Sequence, residues 1–313
     1  MILHSIVPYF GGKRSMADGI VQELGRPASY FELGCGSLAV LLAKPPSLHE
    51  TAVDLLGPLT NLAFVLQDDA LWQRLLDRLG RTLFSDALFA ASRDFCNSHP
   101  EPKPPDLDAA YHYLVRSWQG YNGMAGTKRE ADGLAVRFTP GGGGGAKRWR
   151  SMVESVPDWH ERLRNVVILS CDLFDVLPKI ADTPQTAIYA DPPYLPETRG
   201  GARYEHEFSE DDHERLADAL GRFEHARVVV SYYDHPKLRE LYSLDRWCFR
   251  DMARQKNLHA QNRRDQQGDC EAPEVLILNG PSYAQTEDER MPLFAGVAAH
   301  KDTKARRRGG GHG

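Results

Sequence analysis

No stretch of the chain approaches the roughly 18 to 20 consecutive apolar residues that a membrane-spanning helix needs, and residues 1–14 have no apolar core behind a basic start. Both observations point to a protein that stays in the cytoplasm. Cysteine is scarce as well. Cys35, Cys96, Cys171, Cys248 and Cys270 are odd in number, scattered, and never spaced as Cys-x-x-Cys, which excludes a disulfide framework and a cysteine zinc site, so no metal is expected. Positive charge is also short: the formal net charge is −5, so any contact with a polyanion must come from a local basic surface. No internal repeat is visible.

What is present is the rhythm of strands feeding helices. Short apolar runs predict strands at 30–33, 51–54, 166–170, 186–190, 227–231 and 274–278, and amphipathic runs predict helices at 37–43, 59–67, 173–180, 210–223 and 236–241. Several of these helices open on Ser, Asp or Pro. The alternation implies an α/β fold, doubly wound around a mostly parallel sheet. It breaks for about a hundred residues between the second and third strands, so an inserted, mainly helical domain is expected at 70–164. The catalytic domain would then run over 1–69 and 165–284, with a disordered Arg- and Gly-rich tail at 285–313. Within the insertion, 71–115 reads as helical but interrupted by the prolines of 100–105, and the run Gly141 to Gly145 reads as mobile. Residues 116–164 hold nine basic against five acidic residues, opposite in sign to the whole chain.

The strongest chemical signal is Thr186-Ala187-Ile188-Tyr189-Ala190-Asp191-Pro192-Pro193-Tyr194, an apolar strand ending in an acid, two prolines and an aromatic. Strand ends are where α/β folds place ligands, and two prolines make a rigid turn stripped of two donors. The Asp191 carboxylate and the Pro192 carbonyl then suit an amine that must give up two hydrogen bonds. The exocyclic amine of adenine is a poor nucleophile because its lone pair is delocalised into the ring, and two acceptors would draw it toward a tetrahedral form. Tyr194 would stack on the base, which must leave the duplex to reach such a turn. The plainer alternative is a Pro-Pro turn whose Asp caps a neighbouring segment.

Further motifs agree with the first reading. Glu32-Leu33-Gly34-Cys35-Gly36-Ser37 follows the strand led by Tyr30 and Phe31 and makes a tight turn into a helix. Asp54 ends the next strand, where an acid can grip ribose hydroxyls or cap a helix. Pro8-Tyr9-Phe10-Gly11-Gly12-Lys13-Arg14 sets aromatics, paired glycines and a cation together, and Cys171-Asp172-Leu173-Phe174 offers an acceptor and a ring, or a helix cap and a core residue.

In this order the motifs resemble those of the Dam-like, class D12, DNA adenine-N6 methyltransferases of bacteria and phages, from Pro8 to Asn279. The resemblance implies the Rossmann-like fold of S-adenosylmethionine-dependent methyltransferases with an inserted target-recognition domain, and site-specific methyl transfer to adenine N6 in double-stranded DNA by base flipping. It places Tyr9, Phe10, Gly11, Gly12, Lys13, Phe31, Glu32, Gly34, Gly36, Asp54, Asp172, Phe174 and Asp191 around S-adenosylmethionine, and makes Asp191, Pro192, Pro193 and Tyr194 catalytic. DNA contacts are expected from Arg116, Tyr121, Asn122, Lys128, Arg129 and Arg137, with 116–123 in the recognition domain and Tyr121 and Asn122 in a loop that reaches the target site. Ser231-Tyr232-Tyr233 resembles a later motif lining the adenine pocket, and a cognate restriction endonuclease is an expected partner.

Two departures stand out. The family's Glu-Pro-Phe-x-Gly-x-Gly reads here Glu32-Leu33-Gly34-Cys35-Gly36-Ser37-Leu38, and Leu55-Leu56 follow Asp54 where the family tends to carry an Asn. Cytosine-N4 methylation is the alternative chemistry, although that activity more often has Ser before the prolines. A non-catalytic DNA-binding protein of the same fold is the alternative from another class. His213-Glu214-Arg215-Leu216-Ala217 lacks the second histidine of a zinc-protease motif and reads as part of a surface helix, and Trp118, Trp149, Trp159 and Trp247 read as packing residues.

Overall fold

The computed structural model describes residues 5–9, 11–120, 133–136, 144–198, 204–252 and 273–284. Strands β1 (Ser29–Leu33), β2 (His49–Asp54), β3 (Val166–Ser170), β4 (Thr186–Ala190), β5 (Arg227–Tyr233), β6 (Cys248–Met252) and β7 (Glu274–Leu278) form one sheet in the order β3-β2-β1-β4-β5-β7-β6. β1 to β5 are parallel, and β7 runs antiparallel to both its neighbours. Strand order reverses beside β1, where chain progress switches from leftward to rightward. That crevice, beyond the carboxyl ends of β1 and β4, is where an open sheet of this kind receives a ligand.

The period-two pattern sorts side chains cleanly between two cores. Ala187, Tyr189, Val229, Leu276 and Leu278 face a cluster with helices α1 (Ala17–Leu24), α3 (Gly57–Gln67), α6 (Leu107–Gln119) and α7 (Gly145–Leu163). Ile188, Ala190, Val228, Val230, Val275 and Ile277 face the other, with α8 (Leu173–Val176), α9 (Glu210–Leu220) and α10 (Pro236–Leu241). Two-sided burial explains the apolar runs 187–190 in β4 and 275–278 in β7, each preceded by one buried polar residue, Thr186 or Glu274.

The six strands expected from sequence are present. Helix bounds differ where local chemistry intervenes. α2 (Ala39–Ala43) starts two residues later than expected because Leu38 takes a left-handed backbone, φ 59°, instead of a helical one. The helix expected over 173–180 is α8 followed by a 3-10 turn at Leu177–Lys179, since Pro178 has no N–H for the α-helical bond. α1 and β6 are additions: β6 is a half-buried edge strand that gains its form only by pairing with β7.

The stretch between β2 and β3 holds α4 (Leu71–Gly80), α5 (Asp86–Ser98), α6 and α7. The proline-rich segment separates α5 from α6 as expected. α7 is unexpected, and the chain expected to be mobile at Gly141 to Gly145 delivers Gly145 as its first residue. Its inward face is Trp149, Met152, Val156, Trp159 and Leu163, each buried and worth about 1.5–3 kcal/mol for the larger side chains. These helices rest directly on α3: Trp118 donates its Nε1–H to the Ile6 carbonyl at 2.9 Å, and Arg162 of α7 meets Glu50 of β2 at 2.9 Å with Lys44 beside it at 2.7 Å.

Candidate active site

The turn after β4 begins as an extension of the sheet, with the Asp191 N–H donating to Leu33 O at 2.9 Å. Gly34 crosses above it with φ 72°. A Cβ there would lie 2.6 Å from the Asp191 carbonyl oxygen, so only glycine lets the two loops pass. Gly34 and Cys35 donate their N–H groups to Val53 O, and Gly36 donates to Asp54 Oδ2 at 2.8 Å. Asp54 Oδ1 accepts from Leu56 N at 2.9 Å, so this acid ties the glycine loop to the residue that leads into α3. The N–H groups of Gly34, Cys35 and Gly36 are thus hydrogen-bonded within the protein. What the glycines supply is closeness: a Cβ on Gly36 would lie 3.3 Å from the ring of Tyr9.

These pieces line one cleft, whose walls include Tyr9, Gly11, Lys13, Gly34, Gly36, Asp54, Asp172, Asp191, Pro192 and Pro193. Nearly all the motifs that the sequence suggested thus converge, from four separate strand ends.

Asp191 keeps 19% of its side chain exposed and has two partners: Lys13 Nζ lies 2.8 Å from Oδ2, and Ser231 Oγ–H donates to Oδ1 at 2.7 Å. Burial pushes the Asp191 carboxyl above its ordinary range, while Lys13 and then Ser231 pull against it. Lys13 is 4% exposed, also donates to Gly11 O at 2.6 Å, and stands 4.8 Å from the centre of the Tyr194 ring. Burial likewise raises Asp54, against its backbone bonds from Leu56 and Gly36.

Some expected site residues lie elsewhere. The Tyr194 ring is 1% exposed, wedged among Lys13, Tyr232 and Tyr233, with its hydroxyl donating to Glu274 Oε1 at 3.2 Å. Stacking of a base on that ring needs the Lys13 head to leave its face. Glu32 points into the interior, accepting from the Tyr30 hydroxyl at 2.7 Å, and burial lifts its carboxyl to about 8. Phe31 packs in the core, and Phe174 is buried with Phe208 stacked on it and Arg215 over its ring. Asp172 caps α8 through Phe174 N–H at 2.9 Å and also lines the cleft. Gly12 caps a 3-10 turn at Lys13–Ser15. Phe10, Tyr121, Asn122, Lys128, Arg129 and Arg137 lie outside the described residues, as does 285–313.

Arg116, expected in the recognition domain, is in the last turn of α6. Part of the basic stretch is internal: Arg148 caps the end of α6 by donating to Trp118 O at 2.8 Å and Arg162 pairs with Glu50, whereas Lys147, Arg150 and Arg164, the last beside Glu161 at 3.3 Å, are exposed. His213 is buried, with Nδ1 2.9 Å from the Tyr232 hydroxyl, so α9 has an inward face. The four tryptophans are buried. Sequence reasoning missed Tyr204, Glu205, His206 and Phe208, which close one side of the cleft. The signal was there in the density of aromatic and ionisable residues shortly after the Pro-Pro turn. Among the described residues no group of His, Cys, Asp or Glu is arranged for a metal.

The profile of the D12 class N6 adenine-specific DNA methyltransferases matches residues 9–256, which includes every wall of this cleft. The chain belongs to that family. Its activity is methylation of adenine N6 in DNA, with a methyl donor and DNA as substrates; neither the cytosine-N4 alternative nor a non-catalytic DNA binder is favoured. Comparison with curated proteins returns no match. Among solved structures, the rRNA methyltransferase aviRa from Streptomyces viridochromogenes is similar over 88% of this chain and 86% of that chain, at 14% identity and a TM-score of 0.36. Against the family's glycine motif, Leu38 stands where the last glycine is usual and still carries its left-handed backbone, while Gly34 stands where an aromatic is usual and has no room for one. No described helix is long and apolar enough to cross a membrane.

Proposed function

We propose that this adenine methyltransferase binds S-adenosylmethionine in the cleft and acts on a base flipped out of double-stranded DNA at a specific site, by direct transfer. The residues fit such a cofactor. Asp54 retains acceptor capacity for ribose hydroxyls, and Tyr9 supplies an aromatic wall. Tyr113 of α6 has a buried hydroxyl with no hydrogen-bond partner among the described residues, in the electrostatic neighbourhood of Tyr9, Asp54 and Glu205. A buried unpaired hydroxyl is costly unless a ligand satisfies it. When bound, the cofactor supplies an electrophilic methyl group.

The protein's part is to present acceptors to the amine. Asp191 and the Pro192 carbonyl take the two N6 hydrogens, shift electron density onto nitrogen, and leave Asp191 placed to accept the proton released on transfer. Lys13, 2.8 Å away, favours the charged form of that carboxylate against the effect of burial. The observation that carries this reading is the Asp191 carboxylate, held between Lys13 and Ser231, in the wall of the same cleft that Asp54 closes. The segment 70–164 would recognise the target sequence, with Arg116, Tyr121, Asn122, Lys128, Arg129 and Arg137 facing DNA. The setting would be the cytoplasm, beside a restriction endonuclease of the same specificity. The test is to incubate the protein with methyl-labelled S-adenosylmethionine and mixed-sequence duplex DNA, digest the DNA, and separate the nucleosides. Label in N6-methyladenine is expected; label in cytosine, or none in DNA, overturns the assignment.

A further inference from the structure

Ser231 is 0% exposed and is not part of the cleft wall, although its motif was expected to line the adenine pocket. The ladder between β4 and β5 ends at Ala190 opposite Val230, which sets Ser231 beside Asp191 one step beyond. Its hydroxyl donates to Asp191 Oδ1 at 2.7 Å. A serine hydroxyl has one proton. With that proton given to the carboxylate, the 2.9 Å contact between Ser231 Oγ and the Tyr189 hydroxyl must have Tyr189 as donor. Tyr189 is 1% exposed, and burial holds its phenol well above its ordinary value, so it remains a donor throughout the working pH range.

We propose that Tyr189 and Ser231 form a positioning relay, Tyr189 to Ser231 to Asp191, that fixes one carboxylate oxygen while Lys13 holds the other, and so aims Asp191 at the target amine. The proposal rests on the function assigned to Asp191 above. Each carboxylate oxygen accepts more than one hydrogen bond, so the relay orients Asp191 without consuming the capacity that the amine needs. A donor aimed at an ionised acceptor also favours the ionised form. Neither hydroxyl touches substrate, which separates this role from that of Asp191.

The test follows methyl transfer to duplex DNA from pH 5 to pH 9 for the wild-type chain, Ser231→Ala, Tyr189→Phe and the double variant, with thermal melts and S-adenosylmethionine affinity measured on each. Ser231→Ala is expected to move the acid limb of kcat/KM upward by about one pH unit, the scale of one hydrogen bond to a charged group, and to lower the plateau kcat about tenfold. Cofactor affinity should stay within about twofold, because the relay lies outside the cleft wall. Tyr189→Phe should shift the limb the same way by less, and should add nothing in the Ser231→Ala background, since it acts only through Ser231. The double variant also removes the hydroxyl that Ser231→Ala alone would leave without an acceptor. An acid limb that stays put in Tyr189→Phe and the double variant, or full additivity of the two substitutions, overturns the relay. A wild-type chain inert toward DNA at every pH overturns instead the reading of Asp191 beneath it.

Discussion

Replacing Glu32 by glutamine isolates the electrostatics of the floor of the site. The side chain keeps its shape and an acceptor for the Tyr30 hydroxyl, 2.7 Å away, and loses only its ability to ionise. In the folded chain the Glu32 carboxyl is lifted from 4.5 to about 8, above all by burial, with the Asp191 charge nearby adding to the rise. A raised carboxyl means that the folded state holds its proton more tightly than the unfolded state. Stability therefore falls as pH climbs from the unfolded value to the folded one, and levels off above about 8. Linkage between these two values makes the wild-type chain lose roughly 2 kcal/mol more than Glu32→Gln between pH 6 and pH 8, on the scale of 1.36 kcal/mol per pKa unit. For a chain of this size that is a difference of about 4 °C in the change of Tm. Thermal melts of both proteins across this range, read as the difference between them, cancel every other titration. Parallel curves would refute the argument, because they would mean that Glu32 is charged at neutral pH or is not confined to the interior. A neutral Glu32 beneath a charged Asp191 also divides two adjacent carboxyls into distinct protonation states, which keeps the negative charge where the amine arrives.

Lys13→Met removes the charge that offsets the burial of Asp191, so activity should fall at least tenfold more at pH 6.5 than at pH 8.5; a loss equal at all pH contradicts the role. Gly34→Ala puts a Cβ 2.6 Å from the Asp191 carbonyl oxygen at φ 72° and should cost about 1–3 kcal/mol in denaturant melts together with most of the activity; an unperturbed active variant contradicts the close approach. At Leu38, φ 59°, alanine should be less stable than glycine by about 1 kcal/mol, the reverse of the order in a helix, although both lose the buried leucine; the usual order would mean that the left-handed backbone is absent.

The sheet was legible because the runs 187–190 of β4 and 275–278 of β7 are buried on both faces and apolar, whereas β6, Cys-Phe-Arg-Asp-Met, is a half-buried edge with no such signature. α7 was hidden by the glycines before it and by Pro157 within it, although Trp149, Met152, Val156, Trp159 and Leu163 carry a helical spacing. Asp191, Lys13, Asp54 and Tyr9 could be read from motifs since each ends a strand or shapes a turn. What motifs do not carry is the direction a side chain takes: Glu32 and Phe174 turn inward, and Tyr194 lies under Lys13. The support from Tyr189 and Ser231 depends on β4 and β5 being neighbours, a fact of sheet order that no local window of sequence contains.

The most direct measurement compares the wild-type chain with Asp191→Asn, which preserves size and one acceptor while discarding the charge. Single-turnover transfer of methyl from S-adenosylmethionine to duplex DNA should fall by about 1,000-fold or more, on the scale of losing a group that acts in the transition state, with cofactor affinity by calorimetry kept within about threefold. Transfer within tenfold of wild type, or loss of activity explained wholly by loss of cofactor binding, would contradict the claim that this carboxylate receives the adenine amine.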